Sequence, residues 1–141
     1  MSFELVGFGD VGSMHTGVHR DQSRAVLGDG FEEFYKAPES TVPTDAYDDL
    51  GVHVYFDEQY TVIGMEFLKW SDLRWRGQRL VGAPVLEVQQ FLKEQGQALD
   101  FNSSGFEAGE LGLRLYAPDM GEDDAVVEAV YACFVRINEF G

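Results

Sequence analysis

Cysteine is almost missing from this chain of 141 residues: Cys133 stands alone. No internal disulfide can form, and a reducing cytoplasm is the expected home. Basic residues are scarce as well. Ten Lys and Arg face 25 Asp and Glu, for a formal charge of −15, and lysine appears only as Lys36, Lys69 and Lys93. A field of that sign repels nucleic acid and anionic membrane, so neither is expected as a partner. No apolar run is long enough to span a bilayer. The opening stretch from Met1 to Gly12 has no Lys or Arg but carries Glu4 and Asp10, the wrong charge pattern for a secretory leader.

Reactive motifs are also wanting. His15, His19 and His53 are the only histidines. No His-Glu-x-x-His run or cysteine cluster accompanies them, so a zinc site is not expected and capping or surface roles are. The serines form no nucleophile elbow, and Cys133 has no base beside it in the sequence. Asp45, Asp48 and Asp49, and again Glu122, Asp123 and Asp124, lack the spacing of a calcium loop. Gly7-Phe8-Gly9-Asp10-Val11-Gly12 spells G-x-G-x-x-G after an apolar strand. The helix such a turn requires does not start on time, so a glycine-rich turn is the better reading than a dinucleotide site. The residues thus point away from an enzyme and imply no cofactor and no metal.

What is present is an ordinary globular composition, 45% apolar and 25% charged, long enough to bury its own core. The second half repeats the layout of the first. Leu50-Gly51-Val52-His53-Val54-Tyr55 matches Leu111-Gly112-Leu113-Arg114-Leu115-Tyr116 at a separation of 61 residues, each run alternating as a half-buried strand does. An acidic turn follows each, then a return strand, Thr61–Leu68 and Ala125–Ile137, so two antiparallel hairpins are predicted. A helix precedes each hairpin. One covers about His19–Leu27, with Ala25, Val26 and Leu27 packing and Gly28 as its stop. The other lies between Gly82 and Gly96, with Pro84 in its first turn and Val85, Val88 and Leu92 on one face. Phe31–Ala37 and Ala98–Asn102 read as connecting strands, Phe3–Phe8 as a leading strand, and Arg74–Leu80 as its counterpart. The expectation is an α+β fold of two tandem helix-plus-antiparallel-sheet units, 1–70 and 71–141, in one compact domain, with the helices on one side of the sheet.

Pairing the first hairpin across Asp57–Tyr60 sets Val54 against Ile63, Val52 against Met65 and Leu50 against Phe67, a wholly apolar face. The opposite face then carries His53, Tyr55 and Glu66, and the second copy places Arg114, Tyr116 and Glu128 in the matching positions. Tyrosine and arginine beside carboxylates is the composition of a protein-binding surface, and equally of a solvated face with cross-strand ion pairs. The acidic charge likewise admits two uses, speeding encounter with a basic partner or keeping the chain soluble in high salt.

The layout and the two Leu-Gly-x-x-x-Tyr strands resemble the fold of the β-lactamase inhibitory protein, and of small outer-membrane assembly lipoproteins that carry one such unit. Gly17 to Gly28 is similar to the helix motif of those lipoproteins, whereas their lipidation cysteine and the inhibitor's disulfides are missing. The chain is also similar to small acidic bacterial proteins of immunity type. Neither family's specific function carries over; the acidic charge and the face with His53, Tyr55, Arg114 and Tyr116, beside the likeness to immunity-type proteins, give the expectation of a non-enzymatic interaction module, an immunity-type inhibitor of a basic partner protein. The alternative is a small-ligand module with its ligand among Trp70, Trp75 and Phe106.

Overall fold

The computed structural model describes residues 1–135; the end of the expected return strand, at Ile137, lies outside them. The architecture is α+β with mostly antiparallel sheets. The strands are β1 (Ser2–Leu5), β2 (Glu32–Phe34), β3 (Thr44–Tyr47), β4 (Val52–Phe56), β5 (Val62–Leu68), β6 (Asp72–Trp75), β7 (Gln78–Arg79), β8 (Asp100–Asn102), β9 (Gly105–Ala108), β10 (Leu113–Tyr116) and β11 (Ala129–Cys133). The helices are α1 (Arg20–Leu27) and α2 (Val85–Glu94), with a 3-10 turn at Gly109–Leu111. Among the described residues no helix is long and apolar enough to cross a membrane.

Helix α1 begins and ends where local chemistry dictates. His19 Nδ1 accepts from the Asp21 N–H at 3.2 Å, and Gln22 reaches back to accept the His19 N–H at 3.0 Å, a reciprocal cap. Asp21 in the first turn and Arg24 in the last suit the helix dipole. Gly28, at φ +96°, closes it with an N–H bond to the Arg24 carbonyl. The inward residues are Ser23 and Leu27; Ala25, expected to pack, falls between them on the far side of the helical turn and is exposed. In α2, Val85, Val88 and Leu92 are buried as the spacing requires, while Pro84 sits just ahead as the cap.

The larger sheet has eight strands in the order β2-β3-β4-β5-β11-β10-β9-β8, every neighbouring pair antiparallel. The smaller has the order β1-β6-β7, with β1 parallel to β6. Arg74–Leu80 is therefore not one strand. It folds back at Arg76 and Gly77, both at positive φ, into the two-residue hairpin β6–β7. The register of the first large hairpin also departs from expectation: Val52 faces Phe67 and Val54 faces Met65. The shift is two residues, so every side chain keeps its predicted face. Ile63 is the exception, because a bulge between Tyr55 and Phe56 makes it the extra residue and turns Val62 into the core instead.

One row of the sheet's core face runs Glu33, Asp45, Val54, Met65, Ala132, Leu113, Ala108. Asp45 is fully buried in it. Arg24 of α1 grips that carboxylate with two bonds of 2.8 Å, adds Glu33 at 2.7 Å, and lies over the Phe31 ring at 4.0 Å. One guanidinium thus ties the helix to β2 and β3. The two acids hold its own proton far more tightly than usual, the Asp45 bond being the largest cause and burial opposing it.

Removing one partner of such a pair strands the other charge. Arg24→Ala is expected to cost about 3–5 kcal/mol in urea unfolding, whereas Arg24→Met/Asp45→Leu should recover most of that loss. The facing of β10 gives a second test by circular dichroism. Leu113 is buried and Tyr116 half exposed, so Leu113→Asp should abolish the folded spectrum, while Tyr116→Ala should stay within about 0.5 kcal/mol of the parent.

Candidate functional site

The opposite face of the large sheet carries the polar set. Backbone register strings Glu32, Ala46, His53, Glu66, Tyr131, Arg114, Glu107 and Asp100 into one row across all eight strands. Except for Ala46 these residues are half-buried or exposed. Alternation puts the central ones there: His53, Glu66, Tyr131, Arg114 and Glu107 each sit between two buried residues of their own strand, whereas Glu32 and Asp100 open the exposed edge strands.

Glu66 is the centre. Its Oε1 accepts from the Tyr55 hydroxyl at 3.1 Å and lies 3.4 Å from His53 Nδ1. Those contacts, His53 first, hold the Glu66 carboxyl below its ordinary value although burial opposes them. Burial and the neighbouring Glu66 charge push the Tyr55 phenol well above the usual range. Around this core the Phe34 ring meets His53 at 5.3 Å, Tyr55 meets Tyr131 at 5.8 Å, and Lys36 Nζ stands 4.8 Å over Tyr55.

The predicted residues fall into two groups. His53, Tyr55 and Glu66 converge, and Arg114 and Tyr116 lie on the same face two strands away. Glu128 does not take the matching position. Strand β11 places Tyr131 opposite Arg114, and Glu128 falls before the strand, its N–H on the Tyr116 carbonyl and its carboxylate 3.5 Å from Lys69. The loop 117–128 is longer than the turn of the first hairpin, so matching the two glutamates by position misaligns the copies.

Tyr131 is the residue missed by the sequence reading. It leans over Gly64 of β5, where any Cβ would collide with its ring and hydroxyl. A glycine inside a strand is the signal of such an approach. Burial is the main cause that pushes the Tyr131 phenol up to about 12, with Arg114, 5.9 Å from the ring centre, opposing. Cys133, across from Gly64, has its thiol raised by burial, which leaves it a weak nucleophile near neutrality.

The three aromatics considered for a ligand occupy separate surroundings. Trp75 is buried against Phe91, Phe106 packs on Phe101, and Trp70 is exposed beside Asp48. Beside Arg114 and Tyr131, Asn102, Ser104 and Tyr116 line a depression of about 180 Å³, below the size of a drug-sized ligand site. Among the described residues no three His, Cys, Asp or Glu side chains converge as metal ligands. The glycine-rich segment Gly7–Gly12 makes local reverse turns, with the Gly12 N–H on Asp10 Oδ1, and α1 starts only at Arg20.

A carboxyl whose folded value is lowered adds stability above its unfolded value, and that stability is lost as pH falls through the folded value. Glu66→Gln should therefore weaken the protein at neutral pH and flatten the acid limb of its stability profile, read by urea melts across the range below pH 5. An unchanged acid limb would mean that Glu66 is not held as described.

Comparison with protein-family models, with curated proteins and with solved structures finds no match to this chain.

Proposed function

We propose that this chain is a non-enzymatic, acidic protein-interaction module of the bacterial cytoplasm, an immunity-type inhibitor that docks a basic protein on the polar face of its large sheet. The observation that carries the reading is the row across that face. Tyr131, His53 and Arg114 hold its middle around Glu66, and Glu32, Glu107 and Asp100 lie toward its ends. Aromatics and arginine supply contact energy at the centre of an interface, while peripheral acids steer a basic partner in. The depression on this face is shallow and below drug size, so the row presents a broad surface of the kind a protein partner covers.

On the same reading the chain is two units, 1–70 and 71–141, with both helices packed on the core face so that the polar face stays open. The order of elements supports it. Each helix is followed by four strands of the large sheet, the two sets meet at β5 and β11, and β1 and β6, which precede the two helices, pair with each other. This order is also what favours a likeness in architecture to the β-lactamase inhibitory protein.

Affinity capture from a lysate of the source cells, at low and moderate salt, tests the proposal. One basic protein should be retained by the parent, captured less as salt rises, and lost from Arg114→Ala/Tyr116→Ala, both exposed positions that leave folding intact. Equal capture by the double variant would move the docking surface elsewhere.

A further inference from the structure

A second surface feature lies away from that row, where the β3–β4 turn meets the β5–β6 turn. Trp70 is 59% exposed there, yet it is held in place. Its indole N–H donates to the Asp48 carbonyl at 2.8 Å, and the same carbonyl takes the Gly51 N–H at 3.2 Å. The ring lies so close over Gly51 that a Cβ at that position would touch its Nε1 and Cδ1. Gly51, at φ +69°, is therefore needed both for the turn and for the seat of the indole. This exposed tryptophan is positioned by the bond of its ring N–H to Asp48 and by its seat on Gly51.

Trp70 borders an open hollow of about 490 Å³, lined also by Met1, Ser2, Asp49, Leu50 and Asp72. The surrounding charges divide into used and unused. Asp72 is engaged by Arg74 at 2.9 Å, and Lys69 by Glu128 at 3.5 Å. Asp49 is exposed and makes no ion pair among the described residues. An aromatic face fixed beside a free carboxylate is the arrangement that a planar cation satisfies twice, stacking on the indole while forking the acid.

We propose that this hollow is a binding slot for the guanidinium of an arginine side chain presented by a basic protein, with Trp70 as the stacking wall and Asp49 as the ion-pair partner. Preorganisation gives the slot its affinity, since neither turn has to be ordered on binding. The basic partner is shared with the reading above, and the slot rests on that reading only for the source of the arginine.

Titration of the ¹⁵N-labelled protein with N-acetyl-arginine methylamide tests the slot directly, read at the Trp70 indole N–H and at the Asp49 and Leu50 amides. The two indole signals are assigned with Trp70→Phe. A saturable shift at all three positions is expected with arginine and none with the neutral citrulline analogue. Asp49→Asn should weaken binding about three-fold, the size of effect typical of an exposed ion pair. In Trp70→Leu, whose amide fingerprint shows whether it is folded, the Asp49 and Leu50 shifts should vanish. Equal shifts with citrulline, unchanged binding in Asp49→Asn, or tighter binding of tetramethylammonium than of arginine would each overturn the proposal. Because the probe is a fragment, its failure rejects the slot alone and leaves the sheet-face reading to the capture experiment.

Discussion

The pairing of β5 with β11 is the contact through which the two halves of the large sheet become one. It runs from Leu68–Ala129 to Gly64–Cys133, and both faces depend on it. On the core face it sets Phe67 against Val130 and Met65 against Ala132, bulk beside smaller volume, all of them buried. On the polar face it sets Glu66 beside Tyr131, and a glycine where Tyr131 must lie down. Slipping the seam by one residue would send Tyr131 into the core and Val130 to solvent, so the hydrophobic pattern and the polar site hold each other in register.

Charge is distributed unevenly against that frame. The chain's −15 lies largely on exposed acids, yet its best-formed ion pair is in the interior, where Arg24 binds an aspartate that has no contact with water. Such a pair contributes little net stability over an apolar replacement, but it penalises any packing of α1 that leaves Asp45 alone. It therefore acts on the uniqueness of the helix position more than on the depth of the well.

How far the sequence discloses this arrangement follows from the range of each signal. The ends of α1 are written in neighbouring residues, His19, Gln22 and Gly28, and are legible. Strand facing is written in period two and is legible too, which is why His53, Tyr55 and Glu66 were singled out and do converge. Register is a different matter. Parity is indifferent to a shift of two, so the pairing of Val52 could not be told from its neighbours, and the bulge that displaces Ile63 leaves no local mark. Tyr131 was out of reach because its position depends on the length of the loop 117–128, and the parallel pairing of β1 with β6 joins segments some 70 residues apart. The role of Trp70 turns on a hydrogen bond to the carbonyl of a residue in another turn, which no spacing rule encodes.

The two edges of the large sheet have a consequence of their own. Each is a strand of only three residues, β2 with Glu32 and Glu33, β8 with Asp100 and Asn102. Short acidic borders repel a second copy that would dock strand against strand, so the sheet resists growing into a fibril. The same repulsion disfavours strand addition by an acidic segment. Part of the chain's negative charge thus stands at the borders where an open sheet is most exposed to self-association.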